Sequence, residues 1–204
     1  MDQAKLSRID RKKIELRNRI IDTTVELIRT KGFDGTTMEQ IAADTDIAKR
    51  TLYNYYPEKE AIISDYIKRT FETQNTIRLP HLENLAGTRA RVVYILRSLM
   101  DGVQRQKEIF EKYFVYVMKQ VVSFEPHERS DSGLAALIAA VIALGIEEGD
   151  IRADLPPGMA EDFFTFVFVE VAKQFYRGPA NFKQDQVIEQ CADLFINGVK
   201  PARP

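Results

Sequence analysis

Apolar residues in this 204-residue chain recur at helical spacing between glycine and proline stops, and no run alternates with period two for long enough to make a strand. Ile14, Ile20, Ile21, Thr24, Val25, Leu27 and Ile28 form one such stripe, closed by Lys31-Gly32. Glycine suits a helix end because it takes positive φ without strain. Asp34-Gly35-Thr36-Thr37 then turns the chain into a capping pattern, Thr36 with Glu39 or Thr37 with Gln40. A short helix over about Met38–Thr45 follows, broken at Asp46, and a second over about Lys49–Tyr55 stops before Pro57. The next carries Ile62, Ile63, Tyr66, Ile67 and Phe71 on one side, with a weak break at Leu79-Pro80. Further helices are expected near 88–105, 107–123, 131–148, 159–177 and 183–198. Their breaks are Glu125-Pro126, Gly149 to Pro156-Pro157-Gly158, Gly178-Pro179, and Gly198 with Pro201. The expected fold class is all-α.

The segment Thr36–Lys59 carries the functional signal. Two short helices joined by a tight turn and flanked by longer ones make a helix-turn-helix. The first braces the unit, and the second presents its N-terminal residues to a major groove about 12 Å wide. Ile41, Ala42, Ile47 and Leu52 supply the small core, leaving Lys49, Arg50, Thr51, Tyr53, Asn54 and Tyr55 outward. Two cations followed by hydroxyl and amide groups suit phosphates and base edges.

At these residues the chain resembles the TetR family of transcription regulators. Thr51-Leu52-Tyr53, Pro57-x-Lys59 and the upstream Gly32-x-x-x-Thr36-Thr37 all fall at that family's spacing, and Tyr56 keeps an aromatic residue. The resemblance covers roughly residues 14–63; beyond it, only length, helix count and the loop Gly149-Asp-Ile-Arg-Ala-Asp154 agree. Three positions depart from the pattern. Asp46 stands where the family often has glycine, Ala48 where it has Ser or Thr, and Tyr55 where it has His. The resemblance implies that Thr37, Tyr53, Tyr55 and Lys59 hold phosphates, while Lys49, Arg50, Thr51 and Asn54 face bases. It also implies an N-terminal three-helix DNA-binding domain and a C-terminal helical domain for ligand and dimer contacts. The expected divisions are an N-terminal arm over 1–13, the helix-turn-helix over 14–60 and a regulatory body over 61–204.

Charge adds a weaker indication. The net charge is −1, yet residues 1–69 carry 14 Lys/Arg against 12 Asp/Glu. The excess lies at the start, in Lys5, Arg8, Arg11, Lys12, Lys13, Arg17 and Arg19 against Asp2, Asp10 and Glu15. Such an arm suits a polyanion and is expected to add DNA contacts, although charge alone favours a solvated helix face. The N-terminus does not read as a signal peptide, no stretch is apolar for the length of a membrane span, and one cysteine, Cys191, cannot build an internal disulfide framework. These features lead us to expect a cytoplasmic protein with no membrane partner.

The last two expected helices are apolar around too much of their circumference for a monomer. Phe163 to Val171 reads Phe-Phe-Thr-Phe-Val-Phe-Val-Glu-Val, and Val187, Ile188, Cys191, Ala192, Leu194, Phe195, Ile196 and Val199 exceed one face. A homodimer through these helices is expected. Aromatic residues and methionine crowd the middle helices, and Tyr113, Tyr116 and Phe166 are the residues named for a small apolar or aromatic effector, with ordinary core packing as the plainer reading. Helical motion after the recognition helix, near Pro57–Glu72, is what the resemblance implies for ligand response.

Two other classes compete. An enzyme needs a catalytic constellation, and none is visible: His81 and His127 lack metal-ligand spacing, Cys191 sits on an apolar face, and no glycine-rich phosphate loop occurs. No catalytic residue, metal or cofactor is assigned. The other alternative is a ligand-binding or scaffold protein whose helix-turn-helix is disused. The reading taken forward is a ligand-responsive regulator, most often a repressor in this family, that binds a pseudo-palindromic DNA operator as a dimer.

Overall fold

The computed structural model describes residues 7–121 and 133–200. Among them every long element is an α-helix: α1 (Arg8–Lys31), α2 (Met38–Asp44), α3 (Lys49–Tyr55), α4 (Lys59–Glu83), α5 (Gly87–Arg105), α6 (Lys107–Val121), α7 (Gly133–Glu147), α8 (Met159–Arg177) and α9 (Gln184–Val199). A 3-10 turn, Pro179–Asn181, links α8 to α9. None of these helices is long and apolar enough to cross a membrane. The breaks expected at Glu125-Pro126 and Pro201, together with Lys5 and His127, lie outside the described residues.

The chain divides into two compact units. One comprises Met1–Arg69 with Glu108–Glu125, the other Thr70–Lys107 with Pro126–Pro204. Residue 60, where the sequence suggests a boundary, lies in the first turn of α4, and the start of α6 joins the first unit.

Local chemistry explains the helices of the first unit. Ser7 caps α1, accepting from the Asp10 amide at 3.1 Å, and Arg8, Arg11, Lys12 and Lys13 are exposed on that helix. Gly32 ends α1 at φ 75°, its amide donating to the Ile28 carbonyl. Ile20, Ile21, Thr24, Val25, Leu27 and Ile28 are buried as the stripe requires, whereas Ile14 is 46% exposed. Ile41, Leu52, Ile62, Ile63 and Ile67 are buried as well, each aliphatic side chain contributing about 1.5–3 kcal/mol by its burial.

Pro80 corrects one expectation, because α4 runs through it to Glu83. A proline removes one amide donor and crowds the carbonyl four residues back. Here that residue is the exposed Thr76, and the helix ends within a turn, so little pairing is lost. Asn84 then donates from Nδ2 to the Pro80 carbonyl at 3.0 Å.

In the second unit α9 packs on α5 and α8, while α7 packs on the same two helices. Phe164, Phe168, Phe195, Ile95, Leu96, Leu137, Val141 and Ile188 are essentially closed to solvent. Phe164 and Phe195 meet edge to face, centroids 5.4 Å apart. Polar bonds fix the loop after α7: Arg91 grips Glu148 through two bonds of 2.6 Å and donates from Nε to the Leu82 carbonyl at 2.9 Å. Asp150 accepts the Thr88 amide at 2.9 Å and so caps α5. Gly145 allows this close approach, since a Cβ there would lie 2.7 Å from both Ile151 Cδ1 and Thr88 Oγ1.

Candidate nucleic-acid interface

The turn between α2 and α3 forms despite its unusual residues. Thr37 accepts the Gln40 amide at 3.1 Å and caps α2, so Thr37–Gln40 operates and Thr36 instead donates to the Gly32 carbonyl. Asp46 takes φ 57°, the one positive φ at a non-glycine among the described residues. Asp tolerates that region better than most residues. Its amide donates to the Ala43 carbonyl, and that of Ile47 to the Ala42 carbonyl, both at 3.0 Å. Ala48 begins α3 in an extended conformation with no side-chain cap, as its methyl group requires. The missing cap costs about 0.5–2 kcal/mol.

One side of α3 is sealed and the other is open. Leu52 is fully buried, whereas Lys49, Arg50, Tyr53 and Asn54 are exposed and Thr51 and Tyr55 half-buried. Lys49 lies 3.4 Å from Glu39 of α2, both well exposed. Backbone bonding foremost, and then Lys49, lower the Glu39 pKa. A pair in such an exposed setting is readily exchanged for another anion. Arg50 has no hydrogen-bond or ion-pair partner among the described residues. Thr37 is exposed at the start of α2.

Lys59 is placed differently from a free surface lysine. Its ammonium donates to the Phe33 carbonyl at 2.6 Å and to the Thr36 carbonyl, and lies 4.1 Å from the centroid of the Phe33 ring. It therefore ties the start of α4 to the segment that leads into α2. One of its three donors is left for an outside acceptor.

Tyr56 is buried, in keeping with its reading as packing, but its hydroxyl has a further role. It donates to Asp65 Oδ2 at 2.6 Å and accepts from Arg17 Nε at 3.0 Å, while Arg17 also reaches Asp65 at 2.6 Å. Burial first, then Asp65, pushes the phenol above the ordinary tyrosine range. This triad joins α1 and α4 to the residue that ends the recognition helix. A second tie comes from α6, where Glu108 Oε1 accepts the Phe33 amide at 2.7 Å and Lys112 Nζ lies 5.0 Å from the Phe33 ring. Sequence reasoning misses both ties, because Arg17 stands 39 residues from Tyr56 and Glu108 75 residues from Phe33.

The residues named for an effector fall in different units. Tyr113 and Tyr116 belong to the first and Phe166 to the second. Tyr113 is buried edge to face with Phe110, and that burial raises its pKa to about 12. Tyr116 is half-buried. Phe166 is 48% exposed and forms an outer stripe on α8 with Met159 and Phe163, at steps of four and three residues. Leu194 of α9 is 76% exposed. Among the described residues no three His, Cys, Asp or Glu side chains group as metal ligands. Burial pushes the Cys191 thiol up, away from an activated nucleophile.

Comparison with known proteins agrees with this geometry. The family described as bacterial regulatory proteins, tetR family, matches residues 20–66, which span most of α1, the helix-turn-helix and the start of α4. The biofilm operon negative transcriptional regulator IcaR of Staphylococcus aureus is 36% identical over 62 residues, 30% of this chain and 33% of IcaR. The chain thus spans about a third of the length of that relative. The HTH-type transcriptional regulator YdeS of Bacillus subtilis is 26% identical over 150 residues, 67% of each protein. In fold, the TetR-family repressor FadR of Thermus thermophilus, solved with lauroyl-CoA, superposes with a TM-score of 0.69 at 22% identity, covering 92% of this chain and 97% of FadR. The motif, the helical order and these matches agree: residues 20–66 match the TetR family of bacterial regulatory proteins, and the fold is the one solved for such regulators.

Proposed function

We propose that the protein is a ligand-responsive, sequence-specific DNA-binding regulator in the bacterial cytoplasm, acting as a repressor on a pseudo-palindromic operator. The observation that carries this is the open face of α3, where Lys49, Arg50, Tyr53 and Asn54 stand clear of a sealed core. Lys49, Arg50, Thr51 and Asn54 read base edges, and Thr37, Tyr53, Tyr55 and the remaining donor of Lys59 hold phosphates. The exposed stripe of Met159, Phe163 and Phe166, with Leu194, pairs two copies through α8 and α9, so that two α3 helices read two half-sites. Phe166, at its exposure, fits that surface better than a pocket wall.

The effector is a small molecule with an apolar body, and Tyr113 and Tyr116 remain candidates for its contacts. Solved proteins of the same fold hold lauroyl-CoA in Thermus thermophilus FadR and stearoyl-CoA in Bacillus subtilis FadR, so an acyl chain is one form it takes. Binding lowers operator affinity by favouring a different placement of α4, and a coupling of about 1–3 kcal/mol suffices. A scaffold with a disused helix-turn-helix is disfavoured, since the turn, the Thr37 cap of α2 and the core of the motif are in place.

Selecting bound fragments from the host genome tests the reading. Wild-type protein should enrich one two-fold symmetric site. Arg50→Glu should weaken its binding about ten- to a hundredfold, which is what one good base or phosphate interaction is worth, with dimer and melting temperature unchanged. Equal recovery of all fragments, or an Arg50→Glu protein that binds as wild type, rejects the proposal.

A further inference from the structure

Two arginines are buried in the second unit, and their surroundings are opposite. Arg91, 2% exposed, has Glu148 on both terminal nitrogens and the Leu82 carbonyl on Nε. Exposed Arg89 and Arg97 each reach carboxylates of α9 as well. Arg78 of α4, 7% exposed, has no carboxylate within ion-pair distance among the described residues. Its bond within that set runs from Nη2 to the Ser98 carbonyl at 3.5 Å, the outer limit of such an interaction, and Nη1 is buried with no partner there. The Phe71 ring, 5.6 Å from the guanidinium carbon, offers only a distant π face. Burial pulls its pKa down, while Tyr94, Arg105 and Asp101 act from further off in opposing senses.

One turn earlier on the same face stands Asn75, 6% exposed. Its Nδ2 donates to the Gly133 carbonyl, and its Oδ1 is buried without a donor among the described residues. Rotating the amide would set oxygen against oxygen, so Oδ1 is the open atom. Gly133 reaches this point because it has no side chain: a Cβ there would lie 2.7 Å from Phe71 Cβ and 2.8 Å from the Glu72 amide nitrogen. Among the described residues, a buried cation lacking an anion and a buried acceptor lacking a donor therefore lie side by side on one helix. Each unpaired buried group calls for an explanation, and one ligand can complete both of these.

We propose that Asn75 and Arg78 form, within the second unit, a polar site that selects an organic acid, its carboxylate on Arg78 and an adjacent hydroxyl or N–H on Asn75. The inference rests on the reading of the chain as effector-responsive, and it names the effector's class. Both open atoms are closed to solvent, so the acid enters as α4 eases from its neighbours. It then supplies in the eased arrangement the bonds that the closed one withholds, which is the differential affinity a switch needs.

Calorimetry on the full-length protein tests this without DNA. The probes are straight-chain and aromatic monocarboxylates, the alcohols of the same carbon skeleton, and the corresponding α-hydroxy acids. At least one acid should bind about tenfold or more tighter than its alcohol, since a charge-assisted bond is gained, and its α-hydroxy form tighter still. Arg78→Met should erase the preference for acid while the melting temperature holds or rises, because an unpaired buried charge is removed. Asn75→Leu should erase only the gain from the hydroxyl. Alcohols binding as well as acids, no acid binding at all, or an Arg78→Met protein that melts earlier or keeps its acid preference overturns the proposal. Operator capture by the wild-type protein is scored separately, so a failure here leaves the regulator reading standing.

Discussion

Around the recognition helix, residues distant in sequence meet through charged and polar atoms: Arg17 with Tyr56 and Asp65, Lys59 with two carbonyls, Glu108 with the Phe33 amide. The first unit has an aliphatic core besides; in the second unit the interior is filled by Phe164, Phe168, Phe195 and the aliphatic residues between them, and polar bonds close its loops. The difference separates two tasks. Apolar burial scales with area and sets stability, whereas directional polar bonds set where an element sits at a modest net energy. Within the first unit, the end of α3 and the start of α4 are placed in the second way.

Phe168→Ala tests the first half of that comparison and should have the largest effect. The ring is 1% exposed, and its removal opens a cavity worth about 3–5 kcal/mol in denaturant unfolding. Dimer and operator binding should fall with it. A drop below about 1 kcal/mol would mean that the second unit is packed too loosely for its core to govern stability.

Tyr56→Phe tests the second half. The ring stays, the hydroxyl goes, and stability should drop by about 0.5–1.5 kcal/mol. Operator affinity should fall by a larger factor than that small decrease in folded protein explains, because the end of α3 is freed from Arg17 and Asp65. The wild-type phenol also leaves a signature in pH. Its folded pKa lies above the ordinary value of 10.0, so its share of stability is intact below that pH and declines as pH climbs beyond it. Alkaline unfolding series should show that slope in wild type and lack it in Tyr56→Phe. Identical slopes and unchanged operator affinity would reduce Tyr56 to packing.

What can be read from sequence follows the same division. Gly32, Asp46, Ala48 and the Thr37–Gln40 cap act within four residues, so their roles are visible in order along the chain. Leu52 and Ile41 are assigned inward by period alone. The Arg17–Tyr56–Asp65 triad is not legible, because its members are separated by up to 48 residues and each type is common on a surface. The motif marks Lys59 as a phosphate ligand, and the carbonyls of Phe33 and Thr36 that also hold it leave no trace in spacing. At Pro80 the local rule gives way because only one helical turn remains. Arg78 carries no signal, since a burial that lacks a partner is visible only in three dimensions.

Ala48→Ser has the smallest expected effect and sharpens the comparison most directly. The residue already has φ −65° and ψ 143°, the extended geometry of a helix cap, so a serine hydroxyl can accept an amide of the first turn without backbone change. Stability should rise by about 0.5–1 kcal/mol, which chemical unfolding of matched samples resolves. The core of the head is untouched, so any change in DNA affinity reports on the start of α3 alone. Affinity should hold or improve, because the first turn, with Lys49 and Arg50, is preset before DNA arrives. If affinity falls while stability rises, the added oxygen blocks the approach of DNA, and the uncapped helix start is a feature of recognition and not a tolerated defect.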